Sequence, residues 1–346
     1  MSRAAPARGL RTAALLAAGL VAAVLAALCF GEARTLTPGT VLGGLAELAG
    51  LGRGTDPTSL ALVEIRLWRA VTGLLVGASL ALSGALLQGL FRNPLAAPSL
   101  LGVTSGASLG VAVATLVLAG TGPVSMYVAP LAAFIGAGAS LAVLMLAVLR
   151  HGRGSVALLL LVGIALSSLW TALVAFVQNL ALDRFDVTQV LLRWSFGDLD
   201  DRHPEHALLA ALCLLPGVAA IPWIARPLDV LALGEDDART LGVDPARLER
   251  GVVLLASAAT AGAVAVAGPV AFVGLVDANL VRLATGEHAR VTGWPEPPGR
   301  RLLLSSTRPS AASCRRPASP PGVAMSLVGA PRTMAAGRQR QELAAW

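Results

Sequence analysis

Lysine does not occur anywhere in this chain of 346 residues, and all 27 basic side chains are arginine. Without lysine there is no Gly-x-x-x-x-Gly-Lys-Ser/Thr loop, so the chain carries no phosphate-binding loop of that kind. Charge of either sign is scarce at 14%, and aromatic residues make up only 4%. Cys29, Cys213 and Cys314 are the three cysteines. They lack metal-ligand spacing, and two fall in apolar stretches, which argues against a disulfide framework or a zinc site. His151, His203, His206 and His288 are scattered through loops with no ligand spacing and read as structural or incidental. Ionisable residues are nearly absent from the apolar runs, which disfavours a secondary transporter coupled to ions within its spans.

What is present is hydrophobic length. Hydrophobic residues account for 55% of the chain and the mean hydropathy is +0.72, far from the composition of a water-soluble domain. A helix needs about 20 apolar residues to cross the hydrocarbon core. Charge-free stretches of that length recur at roughly 12–31, 70–91, 100–120, 127–149, 155–178, 207–225 and 251–270. The expected fold is all-α and polytopic, with about seven to eight transmembrane helices. Arg3, Arg8 and Arg11 precede the first run, as in a secretory signal, but its length and the spans that follow favour a retained first helix.

Arginine placement orients the spans. With the N-terminus inside, the loops bearing Arg150 and Arg153, and Arg226, Arg239, Arg247 and Arg250, face the cytoplasm. The acidic loop 179–206 faces outward, as the positive-inside rule requires. The net charge of +7 is no sign of nucleic-acid binding. Residues 1–290 hold 19 arginines against 18 acids, and residues 291–346 hold eight arginines against two acids. The chain therefore divides into a transmembrane domain over 1–290 and a Pro/Arg-rich tail over 291–346, which is too polar to span and is expected to be disordered. Within the first, Gly77, Gly84, Gly106, Gly110, Gly136 and Gly138 suit close helix–helix contact in lipid.

Four ordered stretches carry a resemblance. The first runs from Arg66-Leu67-Trp68-Arg69 through Leu86-Leu87-Gln88-Gly89-Leu90-Phe91-Arg92-Asn93-Pro94-Leu95 to Leu101-Gly102-Val103-Thr104-Ser105-Gly106. The second is Arg193-Trp194-Ser195-Phe196-Gly197-Asp198-Leu199, and the third Leu233-Gly234-Glu235-Asp236-Asp237-Ala238-Arg239-Thr240-Leu241-Gly242. The fourth is Ala267-Gly268-Pro269-Val270-Ala271-Phe272-Val273-Gly274-Leu275, followed by Asn279-Leu280-Val281-Arg282. Together they resemble the FecCD-type permeases, the membrane subunits of ABC importers for siderophores, haem and cobalamin. Trp68 stands where that family has proline, and Asp198 where it has serine.

That resemblance implies a chain that is not an enzyme and needs no cofactor, since ATP is bound by a separate ABC ATPase subunit. It implies an extracytoplasmic substrate-binding protein, a second permease copy or paralogue, and a home in the bacterial cytoplasmic membrane. A ferric siderophore is the first choice of cargo, with haem and cobalamin open. From the residues alone, 233–241 reads as a short amphipathic cytoplasmic helix with acids at its positive end, stopped by Gly242. The resemblance makes Leu233, Gly234, Glu235, Asp236, Ala238, Leu241 and Gly242 the ATPase-coupling loop. Arg66 and Arg69, three apart and so on one helical face, become binding-protein docking residues; interfacial snorkelling is the alternative. Asn93-Pro94 marks a cytoplasmic turn, near the inner gate by resemblance. Trp170 and Gln178 suit either the pathway or packing.

The family continues past Arg282 with two further spans, making ten. Here residues 291–320 match nothing in that pattern, yet Pro321-Gly322-Val323-Ala324-Met325-Ser326-Leu327-Val328-Gly329-Ala330-Pro331 resembles its near-terminal segment. Two compensating frameshifts or sequencing errors around 291–320 account for both observations. Resequencing the gene is expected to locate them; a clean read of the same tail overturns this account.

Overall fold

A computed structural model describes residues 18–30, 35–52, 54–93, 96–118, 127–150, 156–197, 199 and 202–270. The stretch from Ala271 onward, with the rest of the fourth motif and the 291–346 tail, lies outside the described residues, as does the boundary at 290. Among the described residues there are helices and no strands. They are α1 (Ala18–Cys29), α2 (Pro38–Leu48), α3 (Pro57–Phe91), a 3-10 turn (Pro98–Leu101), α4 (Val103–Leu118), α5 (Val128–Arg150), α6 (Val156–Leu180), α7 (Phe185–Phe196), α8 (Pro204–Leu233), α9 (Glu235–Thr240) and α10 (Pro245–Ala267). Helices α3, α5, α6, α8 and α10 are long and apolar enough to cross a membrane, and α1 and α4 are shorter apolar helices. These seven coincide with the seven charge-free stretches. The end that carries α9 is called the inner end, following the orientation expected from charge.

Two helices outrun their apolar stretch. Helix α3 begins at Pro57 rather than near 70, because Asp56 caps it, its carboxylate accepting from the Ser59 N–H at 3.2 Å, and Pro57 takes the first-turn position that needs no N–H. Its 35 residues extend about 52 Å at 1.5 Å per residue, longer than the hydrocarbon is thick. Helix α8 continues to Leu233 through Pro216, Pro222 and Pro227. The loop expected over 179–206 holds a helix, α7. Its Val187 and Leu191 pack with Ala112 of α4, Val177 of α6 and Ala181.

The centre of the bundle is the pair α3 and α10, whose apolar windows are mostly buried while those of α5, α6 and α8 are mostly not. The Ser83 hydroxyl and the Thr260 hydroxyl are 2.8 Å apart, and each reaches the Ala256 carbonyl at 2.8 Å. Helices α4 and α5 meet through glycine. A methyl group on Gly110 would enter the Ala132 carbonyl, and one on Gly136 the Gly106 carbonyl. Helix α6 closes on the 3-10 turn, with Gly163 under the Leu100 carbonyl. The Trp170 indole N–H donates to Ser140 Oγ at 2.9 Å, and Ser140 donates to the Gly102 carbonyl at 2.9 Å. Trp170 therefore serves packing. Gly138, expected in a helix contact, faces open space.

The glycine contacts give a direct test. Gly110→Val forces α4 and α5 apart and is expected to cost about 1–3 kcal/mol, while Gly138→Ala leaves stability unchanged. Thermal unfolding followed by fluorescence-detected size exclusion separates the two; equal melting temperatures would sink this packing account.

Candidate functional site

At the inner end the chain turns twice on glycine. Gly234 (φ 151°) ends α8, its N–H donating to the Leu231 carbonyl at 3.1 Å, and Gly242 (φ 83°) follows α9. Both backbones lie where side chains other than glycine are strained. The short helix expected over Leu233–Leu241 is therefore Glu235–Thr240, with Leu233 as the last residue of α8 and Leu241 as the cap. Ala238 is fully buried against a cluster containing Leu228 and Leu231. Leu233 and Leu241 point the other way, 69% and 64% exposed. Between them Arg239 pairs with Glu235 at 3.4 Å and Asp236 at 3.2 Å, all on the surface. Pairs so exposed contribute little to stability.

Two exposed leucines thus flank a short charged helix that is anchored to the bundle by Ala238. Leu228 connects this corner to α3, its side chain lying 3.7 Å from where a Cβ of Gly89 would stand. Just beyond, the Asn93 carbonyl accepts from the Ala96 N–H at 3.0 Å, and Asn93 is exposed. The turn is present at Asn93, while Pro94 lies outside the described residues.

The opposite end departs from expectation. Arg66 and Arg69 do not present two guanidiniums on one open face. Arg66 is only 9% exposed, and its Nη1 donates to the carbonyls of Leu28 and Cys29 at 2.8 and 3.2 Å. The last carbonyls of a helix lack partners and carry partial negative charge. Arg66 donates to both and ties α1 to α3, and the Cys29 carbonyl also accepts from the Leu36 N–H at 2.8 Å. Arg69 is half-buried.

The second and fourth motifs, apart in sequence, meet at this end. Gly268 follows α10 with φ 74°, and a Cβ there would lie 2.9 Å from both the Gly197 Cα and the Trp194 carbonyl. Gly197, also at φ 74°, donates its N–H to that same carbonyl at 3.0 Å. Two backbones touch, which only glycine permits. Spacing within either motif gives no sign of the contact. The acidic loop also contains a packed corner, where His206 is buried, caps α8 by accepting from the His203 N–H at 3.3 Å, and stacks on Tyr127.

The chain matches the FecCD transport family over residues 19–334. It belongs to that family. It is 37% identical over 289 residues to the cobalamin import system permease protein BtuC of Halobacterium salinarum, covering 83% of this chain and 76% of that one. It is 36% identical to the hemin transport system permease protein HmuU of Yersinia pestis (78% and 80% covered) and 37% identical to the Fe(3+) dicitrate transport system permease protein FecD of Escherichia coli (78% and 82%). The fold also matches a solved structure described as an inward-facing conformation of a metal-chelate type ABC transporter. The TM-score is 0.75 at 26% identity, over 95% of this chain and 98% of that chain. The all-helical polytopic architecture is thus shared with transport permeases, and the family match extends across the 321–331 segment.

Arg66→Ala removes the guanidinium that bonds the Leu28 and Cys29 carbonyls at the end of α1. Cys29, half-buried at that end, is then expected to react with a maleimide severalfold faster, with a stability loss of about 1.5–3 kcal/mol for a charged hydrogen-bond donor. An unchanged labelling rate contradicts the capping role.

Proposed function

We propose that this chain is the membrane-spanning permease subunit of a binding-protein-dependent ABC importer that carries a ferric siderophore across the bacterial cytoplasmic membrane. The observation that carries the proposal is the inner corner. Leu233 and Leu241 stand in water on either side of an acidic helix, and that helix is fixed to the bundle through Ala238. A chain without its own nucleotide loop must receive work from a partner, and this corner offers an ABC ATPase subunit a rigid, partly apolar knob. No cofactor is needed in the permease itself, and the chain performs no chemistry.

At the outer end Arg69 takes the docking role toward the substrate-binding protein, with Arg66 holding the helix that presents it. Asn93 and Pro94 lie near the inner gate. A second permease copy completes the transport path, and the mostly uncovered apolar helices α5, α6 and α8 face lipid or that copy. Relatives named for cobalamin, hemin and ferric dicitrate share bulky metal chelates as cargo, and a ferric siderophore fits that class. Haem and cobalamin are the alternatives. The departure over 291–320 supports a second reading, a permease inactivated by frameshift.

Co-purification from detergent-solubilised membranes with the ATPase encoded beside it tests the assignment. The unaltered chain is expected to hold the ATPase, and Glu235→Arg with Asp236→Arg to weaken binding about tenfold or more, by like-charge or unpaired-charge cost. A complex indifferent to both changes removes α9 from the contact. Failure of the unaltered chain, with rescue by a ten-span C-terminus, establishes the frameshifted reading. Uptake of labelled ferric siderophore, haemin and cyanocobalamin by the reconstituted complex decides the cargo.

A further inference from the structure

Helix α2, at the outer end, turns an uncharged side to its surroundings. Its other side is packed on protein. Val41 is fully buried with Leu28 of α1, Leu36 and Val63 of α3, and a Cβ on Gly44 would stand 3.1 Å from Val63. The exposed positions of α2 are Pro38, Gly39, Leu42, Gly43 and Leu48, none of them charged. Its one ionisable residue, Glu47, is half-buried and accepts from the Thr55 N–H at 3.0 Å. By contrast, the start of α3 exposes Asp56, Thr58 and Glu64.

The turn that ends α2 adds to this. Gly50 (φ 74°) donates its N–H to the Glu47 carbonyl at 3.0 Å, and the Leu51 N–H donates to the Ala46 carbonyl at 2.8 Å, the paired bonds of a Schellman turn. In such a turn the apolar residue after the glycine commonly folds back on its helix. Leu51 does not. It is 84% exposed, more than any other large apolar side chain among the described residues, and Leu42 is 60% exposed. Leucines held out where their own helix offers cover argue for an apolar medium around them.

The level of α2 along the bundle identifies that medium. The charge-free run of α3 begins at Ala70, and that of α1 ends at Gly31. Arg66 bonds the Leu28 and Cys29 carbonyls, so the end of α1 stands level with Arg66, about 6 Å outside Ala70. The hydrocarbon boundary therefore lies near Arg66. Val63, on which α2 packs, is about 4.5 Å further out. The polar interface is about 5–7 Å thick on each side of the hydrocarbon, and α2 falls within it. Ala18, Val21, Ala22 and Leu25 of α1 are exposed at helical spacing, with Val24, Ala27 and Leu28 turned to protein. That stripe meets lipid, and α2 continues the same boundary outward.

We propose that α2 is an interfacial helix, and that Leu42, Leu48 and Leu51 insert into the outward-facing leaflet of the bilayer beside α1. A helix of this kind lies about 5–10 Å deep at the boundary of headgroups and acyl chains. Its other side needs no charge here, because it rests on α1 and α3 and not on water. So inserted, α2 holds the Arg66 joint between α1 and α3 at a fixed depth, with Arg69 one turn further in. The inference is independent of the cargo and of the ATPase contact.

The test uses the full chain in vesicles of phosphatidylcholine and phosphatidylglycerol, with Cys29, Cys213 and Cys314 replaced by serine. One nitroxide-labelled cysteine is introduced at a time, as Leu42→Cys, Leu48→Cys or Leu51→Cys, with Thr58→Cys as the exposed reference at the outer tip of α3. Oxygen concentrates in the bilayer and a nickel chelate in water, so the ratio of their collision rates with the label reads depth. At positions 42, 48 and 51 that ratio is expected to exceed the value at 58 about fivefold or more. Ratios equal to that at 58 put the face in water and overturn the proposal. Low collision rates with both reagents mean that a second copy of this chain covers the face, and overturn it as well. So does a face that is aqueous in the vesicles and becomes protected only when a purified substrate-binding protein is added. A variant that loses its monodisperse size-exclusion peak is replaced by Gly43→Cys or Ala49→Cys, neighbouring exposed positions read by the same criterion.

Discussion

Apolar side chains gain little by leaving lipid tails for protein, so in a bilayer the hydrophobic effect does not choose one helix neighbour over another. What chooses is how closely two backbones approach and which polar groups they satisfy. The crossing of α3 and α10 meets both requirements, through Ser83, Ala256 and Thr260 at the midpoint and a stripe of alanines along the rest of α10. An interhelical hydrogen bond in lipid contributes only about 0.6 kcal/mol on average. Its value here lies in register, since sliding either helix by one turn would leave hydroxyls facing hydrocarbon. The remaining helices are placed against this pair by the same means. Gly262 of α10 accepts Cys213 of α8, Gly217 of α8 lies under Leu82 of α3, and glycines join α4 to α5.

That constraint explains what was legible beforehand. The spans were readable because charge is excluded from hydrocarbon, and seven uncharged runs became seven apolar helices. Their lengths were not, because a helix does not end where lipid ends. Asp56 and Pro57 start α3 well before its apolar portion, and nothing in the hydropathy marks that start. Helix α7 carried a readable signal, with Val187, Leu191 and Trp194 on one helical face, but the acids around it drew the stretch into a loop. The four motifs were recognisable as motifs. That Gly197 of one touches Gly268 of another is a tertiary fact that no local spacing contains. Arg66 is the same kind of case: its spacing from Arg69 implies a shared face, while the carbonyls that draw it inward belong to α1, 37 and 38 residues away.

The two ends of the bundle are joined by α10. It starts just after the turn at Gly242, with Asp244 accepting from the N–H groups of Ala246 and Arg247, and it finishes at Gly268 against the end of α7. Its 23 residues contain no proline after the first position and no charge beyond Arg250, whereas α8, which enters the same inner corner, has three internal prolines. A helix with an unbroken hydrogen-bond ladder and small side chains moves as a unit. A helix interrupted by prolines bends at identifiable points. The inner corner is therefore fixed to one helix held in register with α3 and to one helix with three points at which it can bend. The glycine contact at Gly268 closes the other end of the same helix. With no side chain on either residue, Gly197 and Gly268 meet backbone to backbone, with no rotamer to set the distance between them.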